Sequence, residues 1–253
     1  MMRDEIIKSL QSLIERGCIA VKLSTEDAGN SFPQILYWTE EIGDKIPIIV
    51  KIGGPEARND IRELGQMDIR GLIAPMIESA YGLKAYINAL RDILPEERYR
   101  SLSKRVNIET HTAYKNIDSI LSTEEARDLQ VLTIGRTDLS KSMGLHVDDP
   151  VVTSIARKIT QKAKSKGIKV SVGGNITNLN AERIRREIGP DFVNTRSVGF
   201  DFSKCEDIGK AVLDALEFEE IMMQIDLDKG FVNREEAERR IHQLRERRLT
   251  RVA

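Results

Sequence analysis

The sequence is poor in the residues that would announce several common functions. It has two cysteines, Cys18 and Cys205, far apart and without a CxxC partner, which excludes a zinc ribbon and a dithiol redox pair. Two buried thiols in a reducing compartment are expected instead. Its three histidines are too few for a histidine-rich transition-metal site. No apolar run approaches the roughly 20 residues a membrane-spanning helix needs, and the start, MMRDEIIKSL, lacks the charged-then-apolar order of a signal peptide. An excess of one charge is missing too: 39 Lys and Arg face 40 Asp and Glu, a net charge of -1, which leaves no electrostatic footprint for nucleic acid. There is no P-loop and no GxGxxG fingerprint. These absences point to a cytoplasmic chain with neither nucleic-acid nor membrane partners, long enough to bury one large core.

What is present is an alternation. Apolar, β-branched-rich segments recur as IAVKLS (19–24), IPIIVKI (46–52), GLIAPMI (71–77), RVNIET (105–110), LQVLTIG (129–135), IKVSVGG (168–174) and DFVNTRS (191–197). Near-continuous apolar runs of this length read as strands covered on both faces. Helical stretches separate them and carry helix punctuation: Ser122-Thr-Glu-Glu, and Asp149-Pro150 as cap and first residue of a helix that closes on Gly167. A further helical pattern, residues 3–16, precedes the first strand. Alternation of this kind leaves a (β/α)8 barrel or an open doubly wound sheet. The barrel is favoured, because polar residues gather at the C-terminal end of nearly every strand, where a barrel builds its site. Seven strands are visible; the eighth is expected to be short and hidden near the N-terminus, or absent.

Beyond about residue 217 the barrel pattern gives way to EFEEIMMQIDL and NREEAERRIHQLRERRLTR. The expected division is therefore a barrel over residues 1–216 and a helical extension over 217–253 that serves oligomerisation. Asn233, three residues before Glu236, makes a capping box. The seven arginines and four glutamates of the last segment suit a solvated helix face or a basic contact. Ile241, Leu244 and Leu249 give it an apolar side.

The strand ends carry the chemistry. Thr25-Glu26-Asp27 follow the first strand, Lys51 and Gly53-Gly54 the second, Glu78-Ser79 the third, Glu109-Thr110-His111 the fourth, and Arg136-Thr137-Asp138 the fifth. In a barrel, Glu109 and Asp138 project from neighbouring strands into one mouth. Two carboxylates with open positions for water and substrate suit a hard divalent cation such as Mg²⁺ or Mn²⁺ better than zinc. Taken singly, each also reads as a helix cap or a solvated residue. Lys51 interrupts an apolar run, and a lysine there needs a partner or a task. The paired glycines read as tight turns or as backbone approaches to an anion. His111 and His146 read as rim residues or proton relays.

LIAPMIES (72–79), VNIET (106–110) and IGRTDLSKSMG (134–144), in this order, resemble the landmarks of the HpcH/HpaI aldolase and citrate lyase family, whose last such segment reads IGPxDLSxSMG. The resemblance implies a (β/α)8 barrel holding Mg²⁺ or Mn²⁺ through Glu109 and Asp138, assembled as a dimer, trimer or hexamer with C-terminal helices exchanged between subunits. It also implies a metal-dependent carbon–carbon lyase or aldolase acting on a 2-oxo acid such as pyruvate. The family's catalytic arginine falls on Lys51, which keeps the charge but not the planar fork. Its DGEH turn falls on STEDAG (24–29), so Glu26 and Asp27 stand where the proton relay would be. Arg136 replaces the usual proline and is expected to receive a substrate carboxylate or phosphate, with Gly135 and Thr137 beside it as substrate-side positions. Two alternatives stay open: a diverged enzyme acting on a phosphorylated or unusual acid, and an inactive barrel serving as a binding module.

Overall fold

The alternation folds into a closed ring. In the computed structural model, which describes residues 2–249, eight strands form a barrel in sequence order. They are β1 (Cys18–Ser24), β2 (Ile48–Lys51), β3 (Gly71–Ala74), β4 (Ser103–Ile108), β5 (Leu129–Gly135), β6 (Lys169–Gly173), β7 (Phe192–Asn194) and β8 (Val198–Asp201). The helices are α1 (Met2–Glu15), α2 (Phe32–Ile42), α3 (Arg58–Gly65), α4 (Ala80–Ile93), α5 (Glu96–Ser101), α6 (His111–Lys115), α7 (Ile117–Leu121), α8 (Arg136–Lys141), α9 (Pro150–Ser165), α10 (Ala181–Ile188), α11 (Ile208–Asp228) and α12 (Arg234–Leu249). The side chain of Leu249, placed on the apolar side of the last helix by its sequence, lies outside the described residues, as do residues 250–253. Among the described residues no helix is long and apolar enough to cross a membrane.

Local chemistry sets the helix ends. Ser31 caps α2 by accepting from the Gln34 N–H, with Pro33 inside the first turn. Asp149 accepts from the Val151 N–H ahead of Pro150, and Asn233 accepts from the Glu236 N–H at 2.9 Å. Each side chain satisfies a backbone donor that the helix itself leaves orphaned. The Ser122-Thr-Glu-Glu signal yields only a 3₁₀ turn, Glu125–Asp128.

The eighth strand corrects the expectation. It is neither near the N-terminus nor absent: Val198–Asp201 follows β7 after Thr195-Arg196-Ser197 and pairs antiparallel with both β7 and β1, whereas every other neighbouring pair is parallel. In sequence, DFVNTRSVGFD looks like one run, because its three-residue turn lacks the Asn-Gly or Gly signal that usually marks a hairpin.

Strand residues alternate between two environments. Val21, Leu23, Ile48, Val50, Leu72, Val106, Leu132, Val170 and Val193 face the helices in one large core. Inside the ring lies a small apolar floor of Ala20, Ile49 and Ile73. Above that floor the inward positions turn polar, and there the site begins. The extension folds back on the same chain: Trp38 of α2, fully buried, donates through Nε1 to Asp226 of α11 at 2.8 Å. Arg240 of α12 donates to the Ala28 carbonyl at 2.7 Å. Helix α11 runs unbroken through residues 216 and 217.

Candidate active site

A cavity of about 590 Å³ opens at the C-terminal ends of the parallel strands. Its walls are the inward residues that the period-2 strand pattern selects: Lys22, Lys51, Asn107, Glu109, Thr133, Gly135 and Asn194. Asp27, Thr137 and Asp138 join them from the loops and from α8.

Glu109 sits just past β4 and is 4% exposed. One carboxylate oxygen accepts from the Met76 N–H at 3.0 Å and the other from Asn107 Nδ2 at 3.1 Å. Met76 has φ +52, a left-handed conformation that costs a non-glycine residue energy and turns its N–H onto the carboxylate. Burial pushes the Glu109 carboxyl above the usual range, with Asp138 adding to the rise and the Met76 N–H, Lys51 and Asn107 acting against it. The neighbouring strand is cut away to make room. A Cβ on Gly135 would lie 2.6 Å from Glu109 Oε2 and 2.8 Å from its Cβ, so no larger residue fits without moving the carboxylate. Across the next strand, Gly174 (φ +92) lets the chain approach the start of α8; a Cβ there would lie 2.5 Å from the Thr137 nitrogen.

Lys51 ends β2 and is 7% exposed. Its ammonium lies 2.5 Å from Glu26 and 3.0 Å from Asp27, the partners that a lysine in an apolar run requires. Burial works to lower its pKa, but the two carboxylates more than reverse this and hold it above the ordinary lysine value. Burial likewise works to raise Asp27, yet Lys22 and Lys51 outweigh it and keep that carboxyl well below the usual range. The pair is therefore a fixed ammonium–carboxylate unit at neutral pH.

Of the expected site residues, Glu109, Asp138, Lys51, Asp27, Gly135 and Thr137 line one cavity, and Glu26 reaches it through Lys51. Arg136 does not. Its side chain is 1% exposed and turns away to Asp148, at 3.2 Å, which Arg183 also engages at 2.6 Å. The expectation that Arg136 receives a substrate anion is corrected accordingly: as the first residue of α8 its side chain points off the wall, not into the mouth. The Gly53 N–H is occupied by Asp60 at 2.9 Å, so that glycine pair is a turn. Neither His111 nor His146 lines the cavity. Sequence reasoning missed Lys22, Asn107, Asn194, Arg196 and Arg247. Lys22 carried the same signal as Lys51, a lysine inside an apolar run, and burial lowers its pKa.

The donor set suits one kind of ion. Among the described residues no cluster of three or more His, Cys, Asp or Glu is arranged to hold a metal, which rules out a closed structural zinc cage there. Two carboxylates at the ends of neighbouring βα units, Glu109 just past β4 and Asp138 in α8 after β5, the first of them buried, fit a hard divalent cation that keeps open positions for water and substrate oxygens.

A barrel with acidic side chains and a buried lysine gathered at the C-terminal ends of its strands defines an enzyme-type mouth. Comparison with protein families makes this specific: residues 48–206 match the HpcH/HpaI aldolase/citrate lyase model, and the chain belongs to that family. Solved structures share the fold at low identity. A HpcH/HpaI aldolase/citrate lyase family protein from Burkholderia cenocepacia J2315 superposes with a TM-score of 0.59 at 16% identity, covering 73% of this chain and 90% of that one. A HpcH/HpaI aldolase from Desulfitobacterium hafniense DCB-2 gives 0.59 at 16%, over 75% and 88%. The citrate synthase SbnG gives 0.57 at 16%, over 84% and 96%. No curated protein matches the sequence.

Proposed function

We propose that the chain is a divalent-metal-dependent carbon–carbon lyase or aldolase that acts on a 2-oxo acid. The observation that carries this reading is that Glu109, just past β4, and Asp138, in α8 after β5, line one cavity with bare Gly135 and the Lys51 ammonium. Family membership supports the reaction class.

Glu109 and Asp138 would hold the cation, Mg²⁺ or Mn²⁺, which supplies Lewis-acid polarisation of the keto and carboxylate oxygens of the acid. Gly135 and Thr137 leave the space in which those oxygens sit. Lys51, kept protonated by Glu26 and Asp27, places positive charge where an oxyanion develops as the carbon–carbon bond breaks or forms. Its charge is fixed before the reaction starts, so little reorganisation is needed at the moment of reaction. Asp27 lines the cavity and is bonded to the Lys51 ammonium; its carboxylate is the side chain placed to take the proton that leaves the substrate, while Lys51 keeps its own. Homo-oligomeric assembly through the 217–253 extension and a cytoplasmic location belong to the same reading; they rest on the family resemblance and on the balanced charge.

The test is calorimetric titration of Mg²⁺ and Mn²⁺ into the purified chain and into Glu109→Ala and Asp138→Ala. Both substitutions should abolish binding. Full metal affinity in either folded variant would overturn the site.

A further inference from the structure

Two lysines stand on neighbouring strands of the mouth, and their surroundings differ. Lys51 on β2 is taken up by Glu26 and Asp27 and stays an ammonium. Lys22 on β1 lines the same cavity, yet among the described residues its side chain makes no hydrogen bond and no ion pair. It occupies the inward position one pleat above Ala20, and the strand register sets it opposite Ile49. Its stem therefore rises from the apolar floor of the ring. Its backbone is fixed as well, because its N–H donates to the Ser197 carbonyl at 2.7 Å.

A lysine so placed does not hold its proton readily. Burial lowers its pKa, Asp27 works against that, Lys51 and Arg196 add to the lowering, and Glu109 opposes it again; the net direction is down. Desolvation and an adjacent cation are the two means by which a lysine amine is made a nucleophile near neutral pH. Both act on Lys22, and the adjacent cation is permanent, since Lys51 is held protonated by its own carboxylates. The other lysines of the cavity lack this combination: Lys51 is paired, and Lys141 is exposed and lies 3.7 Å from Asp138.

We propose that Lys22 is a covalent catalytic residue, whose amine condenses with the keto carbon of the 2-oxo acid to form an imine inside the cavity. The Nζ lone pair forms the C–N bond. The keto oxygen leaves as water, taking one amine hydrogen and one proton from solvent, and the C=N nitrogen keeps the other hydrogen and the positive charge. When the carbon–carbon bond β to the imine breaks, its electron pair is drawn onto that nitrogen as an enamine. The departing fragment leaves as a carbonyl compound once its hydroxyl proton has passed to Asp27. Nothing is oxidised or reduced. Only the substrate class is taken from the reading above, since imine formation uses the keto carbon and proceeds without the cation. The protonated imine is an electron sink of the chain's own making.

The experiment incubates the full chain, in EDTA, with pyruvate and sodium cyanoborohydride, which reduces an imine to a stable secondary amine, and reads the product by intact-mass and peptide mass spectrometry. A single pyruvate adduct per chain should be trapped on the peptide that carries Lys22. Its level should exceed that on any surface lysine by about tenfold or more, the gain in free amine that one unit of lowered pKa supplies. K22R keeps the charge but not the nucleophile and should trap none, with the circular dichroism spectrum unchanged; K22M repeats the loss should the larger side chain misfold. Pyruvate binding is measured in parallel by calorimetry, with and without Mg²⁺. Binding under either condition without an adduct at Lys22, an adduct spread over surface lysines, or one that persists in both variants overturns the proposal and leaves the metal reading standing. Absent pyruvate binding overturns the substrate class and this step with it. Absent Mg²⁺ uptake with the Lys22 adduct present overturns the metal reading alone.

Discussion

Asp226 offers a quantitative test of how the C-terminal helices are docked. It is 4% exposed, accepts from Trp38 Nε1, and lines a small cavity with Arg240 and Leu244 of α12. Burial raises its carboxyl from 3.8 to about 6, against the opposing effects of the Trp38 bond and Arg240. For an acid whose folded-state value is raised, the folded chain holds its proton over a window where the unfolded chain has lost it. Stability therefore falls as pH rises from about 4 to 6 and stays reduced above that window. A rise of roughly two units corresponds to about 3 kcal/mol of stability absent at neutral pH. Asp226→Asn keeps an acceptor for Trp38 and removes the ionisation. Urea unfolding at pH 8 should show the variant more stable by up to about 3 kcal/mol, and the two midpoints should converge as the pH is lowered toward 4. A difference that is independent of pH, or that widens in acid, would refute the assignment of Asp226 as a buried ionised group.

Two further predictions concern the mouth. Gly135→Ala drives a methyl group into Glu109 Oε2 and should weaken Mg²⁺ binding by about 10–100-fold, the usual cost of disturbing a ligand's support, with the circular dichroism spectrum unchanged; calorimetry decides. Lys51→Met leaves Glu26 and Asp27 without the ammonium they share. Turnover with a 2-oxo acid should fall by about 10²–10³, the scale of losing one preorganised donor to a developing oxyanion. Because Lys51 helps hold Asp27 down, the acidic limb of the pH–kcat/KM profile should also move upward.

How much was legible in the sequence follows from what each signal depends on. Strands β1 to β7 were visible because their outward faces are apolar and β-branched, a local property. Glu109 and Asp138 were visible because they follow closely on such strands, and Lys51 because it interrupts one. Lys22 interrupts one equally but lies a turn of the pleat deeper, where no loop drew attention to it. β8 was hidden by a hairpin without turn residues. The expectation for Arg136 differs from the structure because a residue at a strand end has two ways to point, and only its ion pair with Asp148 chooses between them. Arg196 and Arg247 were out of reach for another reason: they meet through contacts between the first loop, the sixth loop and the last helix, which no local pattern encodes.

The antiparallel strand gives the ring a seam. β7 and β8 are three and four residues long, and the β1–β8 pairing shifts register between Cys18 and Ala20, so the ring closes through residues that lie far apart in the chain. Closure of this pair is the most non-local step in assembling the sheet. Cys18 sits opposite Phe200 on that line, its thiol buried and pushed up to about 12. Labelling of this thiol by a cysteine reagent should therefore be slow while the ring is shut and speed up only when the seam parts, which makes it a reporter of opening.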